Sequence, residues 1–208
     1  MTDSFSIRQA TTSELPQVAQ VLARAFKHDP AYQRITSKMN ANAFEILREI
    51  FIFQLRKHFY PEGHVDVVEG ADGQLLACAL WDVPGNHLNL ADQMGMIGDY
   101  VRVLGADLVA NALRELRTAK YEPRFPHWYL HTVATIPEAQ GQGLGRALIG
   151  SGLERAVGQA VYLEATTARS ARLYEKLGFV VLGAIPDESG AVYELAMWRP
   201  PQLPVDWA

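Results

Sequence analysis

The sequence predicts an α/β domain: a mixed, mostly antiparallel sheet with a parallel pair at its centre and helices on its flanks. Three observations carry that prediction. Apolar runs at about 64–69 and 74–82 are joined by Gly70-Ala71-Asp72-Gly73, a hairpin-type connection. A strand-like run from His127 to Ile136 leads through a glycine-rich turn and a helix to a second strand-like run, Val161 to Thr166, which is how parallel neighbours are joined. The length, 208 residues, sets the expectation at one domain spanning 1–208.

The elements follow in order. Residues 5–10 read as a short strand. Thr12 or Ser13 can cap a helix through about Lys27, with Leu15, Val18, Val21, Leu22, Ala25 and Phe26 at helical spacing before Asp29-Pro30 breaks it. A second helix fits 42–59, carrying Phe44, Leu47, Phe51 and Leu55 on one stripe until Pro61-Glu62-Gly63 ends it. After the hairpin, residues 88–119 read as mostly helical, with Met94, Ile97, Val101, Leu104, Leu108 and Leu116 near helical spacing, as one helix or two. A helix is expected over 144–159 and another over 168–177, with Gly178 where a left-handed C-terminal cap belongs. Phe179–Leu182 and about 191–198 read as closing strands around the turn Asp187-Glu188-Ser189-Gly190, and 200–208 as a loose tail.

Composition removes several function classes. The hydrophobic share is 49% and the charged share 20%, ordinary for a globular protein, and the formal net charge is −4. A general nucleic-acid binder would show a basic excess, so no nucleic-acid partner is expected. No apolar run is long enough to span a bilayer, and the N-terminus lacks the basic start and apolar stretch of a signal peptide. A cytoplasmic protein with no membrane partner, monomer or homodimer, is the expectation. The single cysteine, Cys78, lies in an apolar run and reads as a small core residue, with a catalytic thiol the other reading.

Gln140-Gly141-Gln142-Gly143-Leu144-Gly145-Arg146 sits between a strand and a helix. Small residues there let successive backbone N–H groups point into one concavity, and the helix dipole adds positive potential, which suits a pyrophosphate. Arg146, a cation in the first turn, works against the dipole unless it meets an anion. A dinucleotide fold competes for this motif, and Glu164 stands at a suitable distance for a ribose. The spacing fails, because the sixth position is Arg146 counted from Gly141 and Leu148 counted from Gly143. No run has P-loop spacing.

The run Val133-Ala134-Thr135-Ile136-Pro137-Glu138-Ala139-Gln140-Gly141-Gln142-Gly143-Leu144-Gly145 resembles the acetyl-CoA signature of the GNAT superfamily of N-acetyltransferases, with Gln140, Gly143 and Gly145 on its fixed positions. Farther on, Tyr174-Glu175-Lys176-Leu177-Gly178-Phe179 is similar to the family's second landmark, Y-E-x-x-G-F. Tyr162-Leu163-Glu164-Ala165-Thr166 also resembles puromycin-acetyltransferase-like members. The resemblance implies a sheet whose central parallel strands splay apart to admit the pantetheine arm of acetyl-CoA, the co-substrate. It implies backbone contacts from Val133, Ala134 and Thr135, and a pyrophosphate on the amides of Gln140, Gly141, Gln142, Gly143, Leu144, Gly145 and Arg146. It places Thr167 and Ser170 beside the distal part of the cofactor, and makes Tyr174 the general acid facing the leaving thiolate, unless it is a packed helix aromatic.

The chemistry asks for a base as well. An alkyl amine has a pKa of roughly 10 and must lose a proton before attacking a thioester. Strand alternation puts Tyr129, His131, Val133 and Thr135 on one side, so His131 is the first candidate, with a structural histidine the other reading. Glu164 is the second, as a relay or an ammonium anchor, or as a structural carboxylate. His127 and His131 are about 13 Å apart along a strand and cannot share a metal, and no metal site is expected. The resemblance implies an acceptor pocket built from the first two helices, the loops near Trp81 and the closing hairpin, which makes Phe26, Asp29, Tyr32, Trp81, Asp82, Tyr129 and Tyr193 candidates for an aromatic, mildly acidic lining, with core or rim the other reading of each. The reading is acetyl transfer to a primary amine of a small molecule. A non-catalytic acyl-CoA-binding module and an enzyme acting on protein amines stay open.

Overall fold

The computed structural model describes residues 5–29, 32–33, 42–85, 120–186 and 192–202. The expected helical stretch 88–119, the turn Asp187-Glu188-Ser189-Gly190, the side chain of Tyr193 and the end of the tail from 203 lie outside the described residues.

Strand β1 (Ser6–Gln9) is followed by a 3-10 turn, Thr12–Glu14, and helix α1 (Leu15–Phe26). The cap is Thr11, one residue before the expected Thr12, and Glu14 reaches back to accept from the Thr11 N–H at 2.8 Å. Helix α2 (Ala43–Gln54) starts under Asn42, whose side chain accepts from the Phe44 N–H. The expected single helix to residue 59 is interrupted: Leu55–Phe59 forms a π-helical turn, closed by the Tyr60 N–H on the Leu55 carbonyl, before a last turn Tyr60–Glu62. Strands β2 (His64–Glu69) and β3 (Leu75–Asp82) form the expected hairpin.

Next come β4 (Trp128–Thr135), α3 (Leu144–Arg155), β5 (Val161–Ala165), α4 (Ala168–Glu175), β6 (Val180–Pro186) and β7 (Val192–Arg199). Helix α3 stops four residues earlier than expected, and the chain turns at Gly158, where φ is 76°. The seven strands lie in the order β1-β2-β3-β4-β5-β7-β6, antiparallel except for β4 and β5.

Two neighbouring residues of β3 define the faces of the sheet, because successive side chains point oppositely. Trp81 is fully buried towards α3: a Cβ on Gly152 would lie 2.1 Å from its ring, so only glycine allows this close approach. Asp82 points to the other face, where it meets His58 of the π-turn. Trp81 is therefore core, not the acceptor-pocket residue the sequence suggested. On the α3 face, Arg155 pairs with buried Asp66 and lies over the Trp128 ring, on which His64 also stacks. These contacts fix the C-terminal end of the helix whose N-terminus forms the site.

Candidate active site

The central parallel pair begins as a ladder and then parts. Trp128 pairs with Val161 and Tyr129 with Tyr162, and no further β4–β5 pairing follows. Strand β4 nevertheless continues along β3 to Thr135, and β5 along β7 to Ala165. The two strands thus present backbone N–H and C=O groups towards a gap, and such groups require partners. A bulge starts the divergence: Leu80 lies opposite Thr132 and Trp81 opposite Leu130, which leaves His131 as the extra residue. Val133 and Thr135 are half-buried beyond it, and Ala134 is buried in register with Cys78. Cys78 itself is fully buried, and burial pushes its thiol far up, which makes it a core residue.

The chain leaves β4 through a 3-10 turn, Pro137–Ala139, that Arg24 of α1 grips through Glu138 at 2.8 Å. Gly141 and Gly143 follow with φ of 82° and 85°, the left-handed region that favours glycine. An added Cβ at either would meet nothing within 4 Å, so both face open space. Gly143 is the N-cap of α3 and supplies no side-chain cap; the first intrahelical bond runs from the Ala147 N–H to the Gly143 carbonyl. The amides of Leu144, Gly145 and Arg146 are left without helical partners, at the positive end of the dipole. Gln140 and Gln142 brace the turn from outside, donating to the carbonyls of Thr135 at 3.3 Å and Glu138 at 3.4 Å. Exposed Arg146 stands beside a shallow groove of about 580 Å³ that runs along α3 past Ala147, Gly150 and Glu154.

The second landmark is a helix terminus. The Phe179 N–H bonds the Tyr174 carbonyl at 3.1 Å and the Gly178 N–H bonds the Glu175 carbonyl at 3.0 Å, with Gly178 at φ 88°. This is the Schellman pattern, and its usual apolar contact is present as the Tyr174–Phe179 ring pair, 5.9 Å apart. The motif's glycine and phenylalanine therefore hold its tyrosine. Tyr174 belongs to the same apolar cluster as Leu144, Leu148 and Ala134, and burial alone pushes its hydroxyl up to about 12.

On the face of α1 and α2, His131 is exposed, with Nδ1 3.0 Å from the Thr132 hydroxyl. Its ring meets Phe59 at 4.9 Å and Tyr129 at 5.3 Å. The Tyr129 hydroxyl donates to Glu164 at 2.7 Å and the Tyr162 hydroxyl donates to the other carboxylate oxygen at 3.1 Å. Burial first, then the Glu164 charge, pushes the Tyr162 phenol far up, so it remains a donor. His131, Tyr129 and Glu164 are thus brought together at the mouth of the gap. Thr167 and Ser170 are engaged with each other in a capping box of α4. Of the expected pocket residues, Phe26 and Tyr32 pack on Phe51 at 5.9 and 5.3 Å, and Asp82 is buried against His58. Among the described residues no group of three His, Cys, Asp or Glu could hold a metal, and no helix is long and apolar enough to cross a membrane.

The family model for the acetyltransferase (GNAT) family matches residues 47–179, most of the chain and both landmarks. The chain belongs to the GNAT family of acetyltransferases. Solved structures agree with this GNAT assignment. A structure from Corynebacterium glutamicum, described as histone acetyltransferase HPA2 and related acetyltransferase, is 37% identical, with a TM-score of 0.79 over 97% of this chain and 99% of that one. A mosquito arylalkylamine N-acetyltransferase like 5b is 21% identical with a TM-score of 0.64, over 94% and 99% of the two chains. A Drosophila melanogaster polyamine N-acetyltransferase that forms N-acetylagmatine is 18% identical with a TM-score of 0.60, over 94% and 98%. The last two share the GNAT fold.

Sequence reasoning did not foresee the clamp of Tyr129 and Tyr162 on Glu164, nor the contact of Phe59 with His131. Two of these signals are long-range: Tyr129 and Glu164 are 35 residues apart and meet only because their strands are neighbours, whereas Tyr162 and Glu164 share a face of β5 by strand alternation.

Proposed function

We propose that this GNAT protein uses acetyl-CoA to acetylate a primary amine of a small molecule, by direct transfer from the thioester. The observation that carries the reading is the gap between β4 and β5 ending at an uncapped helix N-terminus lined by two left-handed glycines. The pantetheine arm lies along Val133, Ala134 and Thr135 and bonds the backbone that β5 leaves unpaired. The pyrophosphate rests on the amides of Gly141 to Arg146, the Gln140 N–H, expected to join them, being taken by the Pro137 carbonyl at 3.3 Å, and the groove along α3 has room for the nucleotide end. Thr167 and Ser170, engaged in their cap, contribute at most a surface to the distal part of the cofactor.

In the reaction, His131 takes a proton from the acceptor ammonium, which Glu164 holds in place between its two tyrosines. The free amine attacks the thioester carbonyl, and a β4 backbone N–H stabilises the oxyanion. Collapse breaks the C–S bond and releases CoA thiolate, and the second proton of the attacking nitrogen is shed to water, which leaves a neutral amide. Tyr174 donates to the departing sulfur. A hydroxyl held at about 12 keeps its proton throughout the neutral range, and against a thiol of ordinary pKa about 8.5 it acts chiefly through its hydrogen bond. A small acceptor is supported by the aromatic surroundings of the gap and by the likeness of residues 162–166 to puromycin-acetyltransferase-like members.

One observation favours a protein amine instead: the 37%-identical Corynebacterium structure is described as a histone acetyltransferase. The test is release of free thiol from acetyl-CoA across a panel of arylalkylamines, polyamines and lysine-containing peptides. Turnover with a small amine is the expected result. Turnover with peptides alone establishes the second reading, and no turnover with any amine, by protein that binds CoA, overturns both. Within the small-amine reading, His131→Ala and Glu164→Gln should alter the pH–rate profile. If both keep the wild-type profile, neither group is the base.

A further inference from the structure

We infer that Asp82 and His58 are positioning residues for His131, acting through Phe59; this rests on the reading of His131 as the base. Asp82 ends β3, and its register partner on β4 is Tyr129, two residues before the bulged His131. On the helical side, the π-turn Leu55–Phe59 buries both His58 and Phe59 while Arg56 and Lys57 stay exposed. His58 and Asp82 are each more than nine-tenths buried, and Nε2 lies 2.6 Å from Oδ1. The approach is at ion-pair distance but departs from hydrogen-bond alignment, and His58 Nδ1 has no hydrogen-bond partner. Among the described residues, Glu62, exposed and 3.9 Å from Nδ1, is a further charge near the ring.

A buried pair of this kind is a poor source of stability, because desolvation offsets the attraction. What it does supply is a fixed point. It ties the π-turn to the end of β3, and the residue that follows His58 stands edge-on to the His131 ring, at 4.9 Å and 65°. His58 and Phe59 pack on each other at 4.7 Å, so the tether continues to the ring that touches the base. An exposed imidazole on a bulge has several rotamers open to it. An edge-to-face contact biases one of them by roughly two- to tenfold, and a π-turn at such a place fits the tendency of these turns to mark functional sites.

The test is a double-mutant cycle on the full chain with acetyl-CoA and an amine it accepts. Phe59→Leu and Asp82→Asn should each lower kcat by about three- to tenfold, within what a small displacement of a catalytic group costs. The KM for acetyl-CoA should be unchanged. In a His131→Ala background neither change should lower kcat further. Losses that multiply, or a KM for acetyl-CoA that rises in step, overturn the inference. If His131→Ala alone leaves kcat at the wild-type value, the assignment of the base fails and the positioning role falls with it, a result distinct from multiplying losses. Should Asp82→Asn not fold, Phe59→Leu, which keeps an apolar side chain there, carries the test.

Discussion

Gly143→Ala separates a glycine that makes a bend from a glycine that makes room for a ligand. Gly143 sits at φ 85° as the N-cap of α3, and an added Cβ would touch no protein atom within 4 Å. The folding cost is therefore backbone strain alone, about 1–2 kcal/mol. For a chain of this size that lowers Tm by roughly 2–8 °C. Ligand binding should suffer separately. The methyl group would stand where a pyrophosphate approaches the amides of Leu144 and Gly145. Loss of one hydrogen bond to a charged group is about 1.5–3 kcal/mol, or roughly ten- to hundredfold in Kd. Gly158→Ala is the control, since Gly158 has φ 76° and equally open surroundings but lies beyond the other end of α3. Thermal melting and calorimetric titration with CoA read the two effects. The expected outcome is similar melting losses and weakened CoA binding only for Gly143→Ala. If both variants bind CoA like the parent, the turn is merely a turn and the cradle argument is wrong.

Tyr174→Phe should lower kcat about ten- to hundredfold, the worth of one hydrogen bond to a charged group, about 1.5–3 kcal/mol, with CoA affinity unchanged in calorimetry; an unchanged rate refutes its role. The same residue has an alkaline signature. Its folded pKa of about 12 lies above the ordinary 10, so the unfolded chain loses the proton first. Its contribution to stability is whole below pH 10 and disappears as pH rises through 12, so Tyr174→Phe should flatten the fall of Tm across that window, and equal slopes contradict the burial argument. Asp66→Ala leaves Arg155 without its buried partner and should destabilise by about 3 kcal/mol, at the low end for a buried pair because Arg155 is partly exposed. A denaturation midpoint equal to that of the parent would show the pair to be idle.

The parts of this fold that were legible in the sequence are those in which one residue type answers a local backbone demand. Gly70 to Gly73 announced the β2–β3 hairpin, and Gly178 announced the end of α4, because left-handed or tight geometry selects glycine over short range. The cradle was legible for the same reason. The bulge at His131 was not, since an extra residue in one strand shows only against its partner, here β3 about fifty residues earlier. The π-turn was hidden because the stripe Phe44, Leu47, Phe51, Leu55 fits an ordinary helix, and the slip falls just after it. Trp81 looked like a pocket residue because the resemblance puts the loops near it in the acceptor pocket; Gly152, on a helix seventy-one positions away, is what lets it be buried instead. Thr167 and Ser170 spell a capping pattern, T-x-x-S, that can be read as readily as a ligand contact.

The central claim is that acetyl-CoA occupies the parting of β4 and β5 with its pyrophosphate on the α3 N-terminus. A crystal structure of the protein grown with CoA tests it most directly. The account predicts phosphate oxygens within hydrogen-bond distance of amides between Gly141 and Arg146, pantetheine amides bonded to the backbone of Val133 to Thr135, and sulfur beside the Tyr174 hydroxyl. CoA bound elsewhere, with the β4 edge and the glycine turn empty, would contradict it.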